Sequence, residues 1–383
     1  MSAPHCSSPP ADLPPDDVFQ EVFLRLPPEP TFLLTASLVC KRWRRVIRSS
    51  AFLHRFRAFH RTPPVLGFFQ NLWTLGCPPG RRIRFVPTAG PAARISPPPG
   101  FQGWVLDCCH GRVLLYSYSD EELLVWDPMT GDTQCVSAPP DVVGEDVTAT
   151  LVCAAKQGDC TDCHSSPFQI IFLACKEEDQ YWVSACIYSS EIDAWGSWAA
   201  IPTPSLVSLD SSTLVGNSVY WKIDFAEEDS NHILEFELGQ SQRLCLIELP
   251  EGVREKYMSD IHIMPAEDGG IGFSGVNYSS IHLWSRRIGS EGVAGWVLLR
   301  IIDMDKLPLS GALAGDMFLW SSVVAFARDS DELFLQAESG IFMINISSMQ
   351  LRKVLEASGS AIYPYASFFT GGCDTVGIDD RDE

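Results

Sequence analysis

Residues 13–60 read LPPDDVFQEVFLRLPPEPTFLLTASLVCKRWRRVIRSSAFLHRFRAFH, and this stretch decides how the chain is organised. Asp12 and Leu13-Pro14-Pro15 offer a cap and a proline at a helix start. Phe19, Val22, Phe23 and Leu26 then recur at i, i+3, i+4 and i+7, the spacing of one helix face, until Pro27, Pro28 and Pro30 stop it. Thr31 is placed to cap a second helix. Val39, Trp43, Val46 and Ile47 mark the apolar face of a third, and Phe52, Leu53, Phe56 and Phe59 that of a short last one. A unit of three to four helices in fewer than fifty residues has little core of its own, so it gains from a partner that covers its remaining apolar surface.

Beyond Pro63-Pro64 the pattern changes to short apolar runs bounded by Gly, Pro, Asn and Asp. They are Val65–Phe69, Gly111–Tyr116, Leu123–Trp126, Gln169–Cys175, Tyr181–Tyr188, Thr213–Lys222, Ile233–Leu238, Ile271–Val276, Ile281–Trp284, Val323–Ala327, Leu333–Ala337 and Ile341–Ile346. These are strand signals with turn punctuation and no long helix between them. Acidic turns at Ser119–Glu122 and Arg328–Asp331 predict hairpins. A weak repeat places an apolar strand before a polar turn at 123–132, 184–195, 232–244, 280–287 and 340–354. That spacing matches a four-stranded propeller blade, and about six blades fit between 64 and 372. A pair of β-sandwiches is the alternative.

The chain of 383 residues carries a net charge of −20, unevenly spread. Residues 1–62 hold nine Lys/Arg against five Asp/Glu, and the rest nineteen against forty-three. An acidic body repels phosphates, which argues against general nucleic-acid binding. No apolar run reaches the roughly 18 residues a membrane span needs. Thirteen cysteines, an odd count in a large chain with no export signal, read as reduced thiols in the cytoplasm and/or nucleus, so the sequons at Asn277 and Asn345 carry no glycosylation meaning.

The ordered combination Leu13-Pro14 before an acidic pair, Leu24-Arg25-Leu26-Pro27, Leu38 through Arg44, then Phe52 and Phe56, resembles an F-box. Phenylalanines at 19 and 23 replace the more usual leucine or isoleucine. The remainder resembles the F-box-associated β-propeller of plant F-box proteins, especially those of grasses, through PPVLGFF (63–69), LDCCHGRVLLY (106–116), VWDPMTGD (125–132), LVGNSVYWK (214–222) and YPYASFFT (363–370). The resulting expectation is a disordered leader at 1–11, an F-box at 12–60, a propeller at 61–372 and an acidic disordered tail at 373–383.

The resemblance implies a non-catalytic receptor subunit of a ubiquitin ligase. The F-box would bind a Skp-family adaptor, and through it cullin and RING subunits, while the propeller holds a protein substrate for degradation. The adaptor-binding residues expected are Leu13, Pro14, Val18, Val22, Leu26, Pro27, Leu38, Val39, Cys40 and Trp43, with Trp43 divided evenly between contact and core. No catalytic residue, metal or cofactor is expected.

Competing readings attach to single features. The basic run Lys41, Arg42, Arg44, Arg45, Arg48, Arg55, Arg57 and Arg61 is a solvated face, a complement to an acidic adaptor, or a nucleic-acid patch, the last disfavoured by the acidic body. Cys160, Cys163 and His164 spell half a zinc site or a haem-attachment pattern, but no second C-x-x-C exists and a loop is the better reading. Cys108-Cys109-His110 reads as a buried strand end before a Gly111-Arg112 turn, because adjacent strand residues face opposite ways. EDGGIGFSG (267–275) reads as hairpin, since no helix follows it. Trp195, Trp198 and Tyr278 are candidates for substrate contact, with core packing the better reading. A propeller-based enzyme or small-ligand binder using the central channel, and an F-box protein acting outside a ligase, are the rival functions.

Overall fold

The computed structural model describes residues 14–74, 80–88, 95–117, 119–140, 146–154, 166–177, 179–224, 231–239, 242–257, 260–289, 292–307, 321–328, 330–356 and 361–368. The expected leader and tail, Asp12, Leu13 and the Cys160–His164 motif lie outside them. The chain divides into a helical unit, residues 1–61 with 368–383, and a β unit, residues 62–367.

The helical unit contains α1 (Asp16–Leu24), α2 (Pro30–Val39), α3 (Lys41–Ile47) and α4 (Ser50–His60). α2 begins with Pro30 inside its first turn and Glu29 at the cap position, so Thr31 is a helical residue and not the cap expected of it. Cys40, extended at φ −160°, separates α2 from α3 and caps α3 by accepting the Trp43 amide on its sulfur at 3.4 Å. That break assigns Val39 to the end of α2, where it is exposed, rather than to the buried face of α3. Ser49 caps α4 through the Phe52 amide. Phe23, Leu24, Leu33, Val46, Ile47, Phe52, Leu53 and Phe56 form the core, joined by Phe368. Phe23 meets both Trp43 (5.0 Å) and Phe52 (6.2 Å) edge-on, the arrangement aromatic rings favour.

The β unit is a six-bladed propeller. Its sheets are β1 (Val65–Thr74) and β2 (Gly80–Pro87); β3 (Trp104–Cys109), β4 (Arg112–Ser117), β5 (Glu122–Trp126) and β6 (Thr133–Ser137); then β7 (Asp146–Cys153), β8 (Phe168–Glu177), β9 (Tyr181–Ser189), β10 (Ala194–Trp195) and β11 (Ala199–Thr203). Next come β12 (Val207–Val215), β13 (Ser218–Ile223), β14 (His232–Glu237) and β15 (Leu244–Glu248), with a short helix α5 (Val253–Tyr257) leading to the following blade. That blade holds β16 (Ile261–Pro265), β17 (Ile271–Asn277), β18 (Ser280–Ile288) and β19 (Ala294–Asp303). The next holds β20 (Ser322–Phe326), β21 (Glu332–Ala337), β22 (Gly340–Asn345) and β23 (Gln350–Leu355). The last strand, β24 (Ile362–Ala366), pairs antiparallel with β1 and completes the first sheet as β2-β1-β24. The first strands of successive blades touch in a closed circuit, β24 to β3, β7, β12, β16, β20 and back to β24. A pair of β-sandwiches would not close in this way.

The repeat at 123–132, 184–195, 232–244, 280–287 and 340–354 marks the third strand of each of five blades and its turn toward the fourth. In the first of these turns Asp127 accepts the amides of Met129 (2.8 Å) and Thr130 (3.3 Å), and Gly131 takes φ 82°, which is why the segment reads DPMTG. Both acidic turns connect paired strands, as expected. The run Thr213–Lys222 is not one strand but two, because Gly216-Asn217 turns the chain between β12 and β13. The turn after β3 is His110-Gly111, with both residues at positive φ, so Arg112 opens β4 instead of occupying the turn. Gly275 is required where it sits: a Cβ there would lie 2.6 Å from the Tyr257 ring. The strands bury Val, Ile, Leu and Phe between neighbouring sheets, in clusters that span consecutive blades.

Candidate docking surface and the propeller channel

On the helical unit, six large apolar residues among those described are open to solvent: Val18 and Val22 on α1, Phe32, Leu38 and Val39 on α2, and Phe59 on α4. Val18 and Val22, one turn apart, share an outward face of α1 while Phe19 and Phe23 turn inward. Leu38 and Val39 end α2 at 58% and 62% exposure, beside the exposed Cys40. Among the described residues, these side chains lie outside the core built on Phe23, Leu33, Ile47 and Phe52.

The other expected contact residues are distributed differently. Pro14 is exposed and its carbonyl accepts Arg42 Nη2 at 2.7 Å. Pro27 is exposed just past the end of α1, and Leu26 is half-buried against the core. Trp43 packs against Phe19 and Phe23 as a half-buried wall of that core. The basic run is tied largely to α1. Arg42 and Arg45 meet Asp16 at 2.7 and 3.5 Å, and Arg55 meets Glu21 and Gln20, both at 2.7 Å. The arginines beside Glu21 hold its carboxyl below the usual carboxylate range. Lys41, Arg44 and Arg45 remain exposed just past the α2–α3 junction, a few residues along the chain from Leu38 and Val39.

In the propeller, charged residues converge where the sequence showed no cluster. Asp107 on β3 accepts Cys108 N (2.8 Å), Leu151 N (2.9 Å) and Arg328 Nη2 (2.8 Å). Arg328 also reaches Ser212 Oγ at 3.2 Å and, through Nη1, Leu151 O at 3.2 Å. One guanidinium following β20 thus binds the strands β3, β7 and β12 of three other blades. Burial pushes the Asp107 carboxyl above its usual range, against the pull of Arg328 and the two amides. Burial, reinforced by Asp107, raises the neighbouring Cys108 thiol well above the ordinary value, so it is not a nucleophile-forming thiolate. His262 on β16 is buried nearby, and burial with the Lys222 charge holds its imidazole at about 4. These groups, with Phe326, Ile362 and Tyr363, line a cavity of about 40 Å³, room for ordered water.

A larger cavity, 350 Å³, opens between the β16–β19 and β20–β23 blades. Met264, Leu283 and Ile346 form its buried floor, with Glu267 and Asp331 at its edge. Among the described residues no group of three or more His, Cys, Asp or Glu is arranged to hold a metal, and no helix is long and apolar enough to cross a membrane.

The aromatic candidates separate. Trp195 is half-buried against Tyr188 and Phe172 and donates to Ser137 O at 3.0 Å, tying its blade to the preceding one. Trp198 packs in the same cluster. Tyr278, expected in the core, instead stands 78% exposed at a positive-φ turn between β17 and β18. The Asp107–Arg328 pair had no sequence signal, since 221 positions separate its members.

Residues 104–368 match the family model described as "F-box protein AT5G49610-like, beta-propeller", and residues 15–55 match that of the F-box domain. No curated protein matches the chain. Among solved structures, a protein of unknown function from Bacteroides thetaiotaomicron VPI-5482 is 12% identical with a TM-score of 0.37. The alignment covers 71% of this chain and 66% of that one, so the chain spans just under two thirds of its length. The PQQ-bound aldose sugar dehydrogenase from Streptomyces coelicolor is 10% identical, covering 79% and 86% of the two chains with a TM-score of 0.34. The Synechocystis apocarotenoid oxygenase is 8% identical, covering 65% and 59%, also at 0.34. Similarity at this level carries no argument about activity.

Proposed function

Because the chain belongs to the F-box proteins with an AT5G49610-like β-propeller, we propose that it is the substrate-recognition subunit of a Skp–cullin–F-box ubiquitin ligase. F-box domains bind Skp-type adaptors, and the observation that carries the reading for this chain is the exposed set Val18, Val22, Leu38 and Val39 over a closed core. Each valine or leucine that a partner buries contributes about 1 kcal/mol or more, enough in combination for a stable small interface. Pro14, Pro27 and Cys40 border that set, Leu26 and Trp43 support it from within, and Lys41, Arg44 and Arg45 favour a partner with an acidic rim. In this reading the chain acts as a receptor and not as the catalyst. Its contribution is to hold the substrate's lysines close to the conjugating enzyme, raising their local concentration.

The test is capture of a purified Skp-type adaptor and cullin by the full chain, by Val22→Asp and by Leu38→Asp. Wild type should retain both and the variants neither, with unchanged melting temperatures. Loss of the cullin alone from the wild-type complex supports a role outside a ligase, and no capture by wild type overturns the receptor reading. The commitment of Asp107 and Arg328 to hydrogen bonds across blades favours a structural role for this cluster over a channel enzyme or small-ligand binder.

A further inference from the structure

We propose that the 350 Å³ cavity between the β16–β19 and β20–β23 blades receives a lysine or arginine side chain from the bound protein segment. This deepens the receptor reading and rests on it. The cavity is of the size that accommodates one long side chain with its flanking backbone. Its floor is apolar (Met264, Leu283 and Ile346, all buried) and its walls are Trp284, Leu299 and Phe326, surfaces suited to the aliphatic stem of a long cation. Its polar edge is acidic, from Glu267 in the β16–β17 turn and Asp331 in the β20–β21 turn.

The cations nearby are already engaged. Arg328, at the inner end, points to Asp107, Ser212 and Leu151. Arg300 spends its guanidinium on Ile346 O (2.9 Å) and Met349 Sδ (3.1 Å), approaching Glu267 only at 3.5 Å. Asp331 holds the Ser347 hydroxyl on Oδ2. Both edge carboxylates therefore retain accepting capacity toward a ligand. Besides the engaged arginines and the Trp284 indole, the lining side-chain donors among the described residues are the hydroxyls of Thr62 and Ser330, which offer an anionic side chain no countercharge, and the forty-three Asp/Glu of residues 63–383 bias encounter toward basic segments.

Peptide arrays test this: octapeptides randomised at every position but the fourth, which is fixed as Arg, Lys, norleucine or Glu, probed with the purified full chain. Arg and Lys sets should bind, norleucine at least about tenfold more weakly and Glu not at all. Glu267→Gln and Asp331→Asn, both solvent-exposed changes, should each weaken the Arg set about five- to tenfold, the effect of losing one charge-assisted contact at a partly wetted edge. Equal binding of the norleucine or Glu sets, binding of none, or unchanged affinity in both variants overturns the proposal. Adaptor capture is measured on the same preparations. If it persists while the arrays fail, the cavity assignment falls and the receptor reading stands. If it fails while Arg peptides bind, the receptor reading falls and the cavity assignment stands.

Discussion

Replacing Arg328 with methionine removes a side chain that joins four blades at the centre of the propeller. Asp107 then keeps its two amide donors but loses its counter-ion, at 10% side-chain exposure. Removing one member of a buried pair costs about 3–5 kcal/mol, and the 16% exposure of Arg328 places this case near 3. A unit of roughly 300 residues unfolds with an entropy of about 0.6 kcal/mol/K, so the melting temperature should fall by about 5 °C. Urea titration followed by tryptophan fluorescence measures the loss, and Asp107→Asn/Arg328→Met supplies the control. The double variant should be less destabilised than the sum of its singles by at least about 1.5 kcal/mol, because neither charge is left alone.

The pH dependence has a definite sign. A carboxyl held above its ordinary value in the fold costs stability as pH rises from the unfolded value through the folded one. Arg328 limits that rise, so its loss widens the window. The penalty of Arg328→Met should therefore shrink as the solution is acidified and Asp107 takes up a proton in both states. A loss below about 1 kcal/mol, or a penalty that grows toward acid, refutes the pair as a structural tie.

Phe23→Ala, in contact with Trp43 and Phe52, should cost about 3–5 kcal/mol and abolish adaptor capture by unfolding the helical unit, whereas Val22→Asp abolishes capture with the far-UV spectrum intact. His262, held at about 4 by burial and by Lys222, should stay neutral from pH 5 to 8 by NMR. Stability should be lost as pH falls below the ordinary histidine value toward 4, and His262→Gln should reduce that loss. Gly275→Ala should destabilise the propeller by about 1–3 kcal/mol, because the new methyl meets the Tyr257 ring. It should also quench the hydrogen-bond chain from Trp284 Nε1 through the Tyr257 hydroxyl to His282, visible as a shift of the indole N–H resonance.

The helical unit was legible because its signals are local: proline stops, i/i+4 aromatics and the run around Trp43 lie within forty-eight residues. Cys40 reads as a contact residue, and its capping of α3 carries no sequence signal because a sulfur acceptor is not a usual cap. In the propeller, inner strands such as β4 and β22 announced themselves by continuous apolar runs. Outer strands such as β6 (TQCVS), with one buried residue of five, carry almost no periodic signal. β16 (IHIMP) gives no clear strand signal because a histidine breaks its apolar run, although that histidine is buried. The channel tie and the blade cavity depend on ring closure, which brings together residues from turns of different blades, and no window along the chain contains them. Val18, Val22, Leu38 and Val39 enter the expected contact set through resemblance alone, since composition does not distinguish a valine facing a partner from one facing the core.

The pairing of β1 with β24 joins Val65 to Ala366. During synthesis at ~5–20 residues per second, the inner edge of β1 waits about 15–60 s for the strand that covers it. For that interval, the nascent propeller is an open arc with bare backbone donors and acceptors at its seam, the geometry from which strand-swapped oligomers grow.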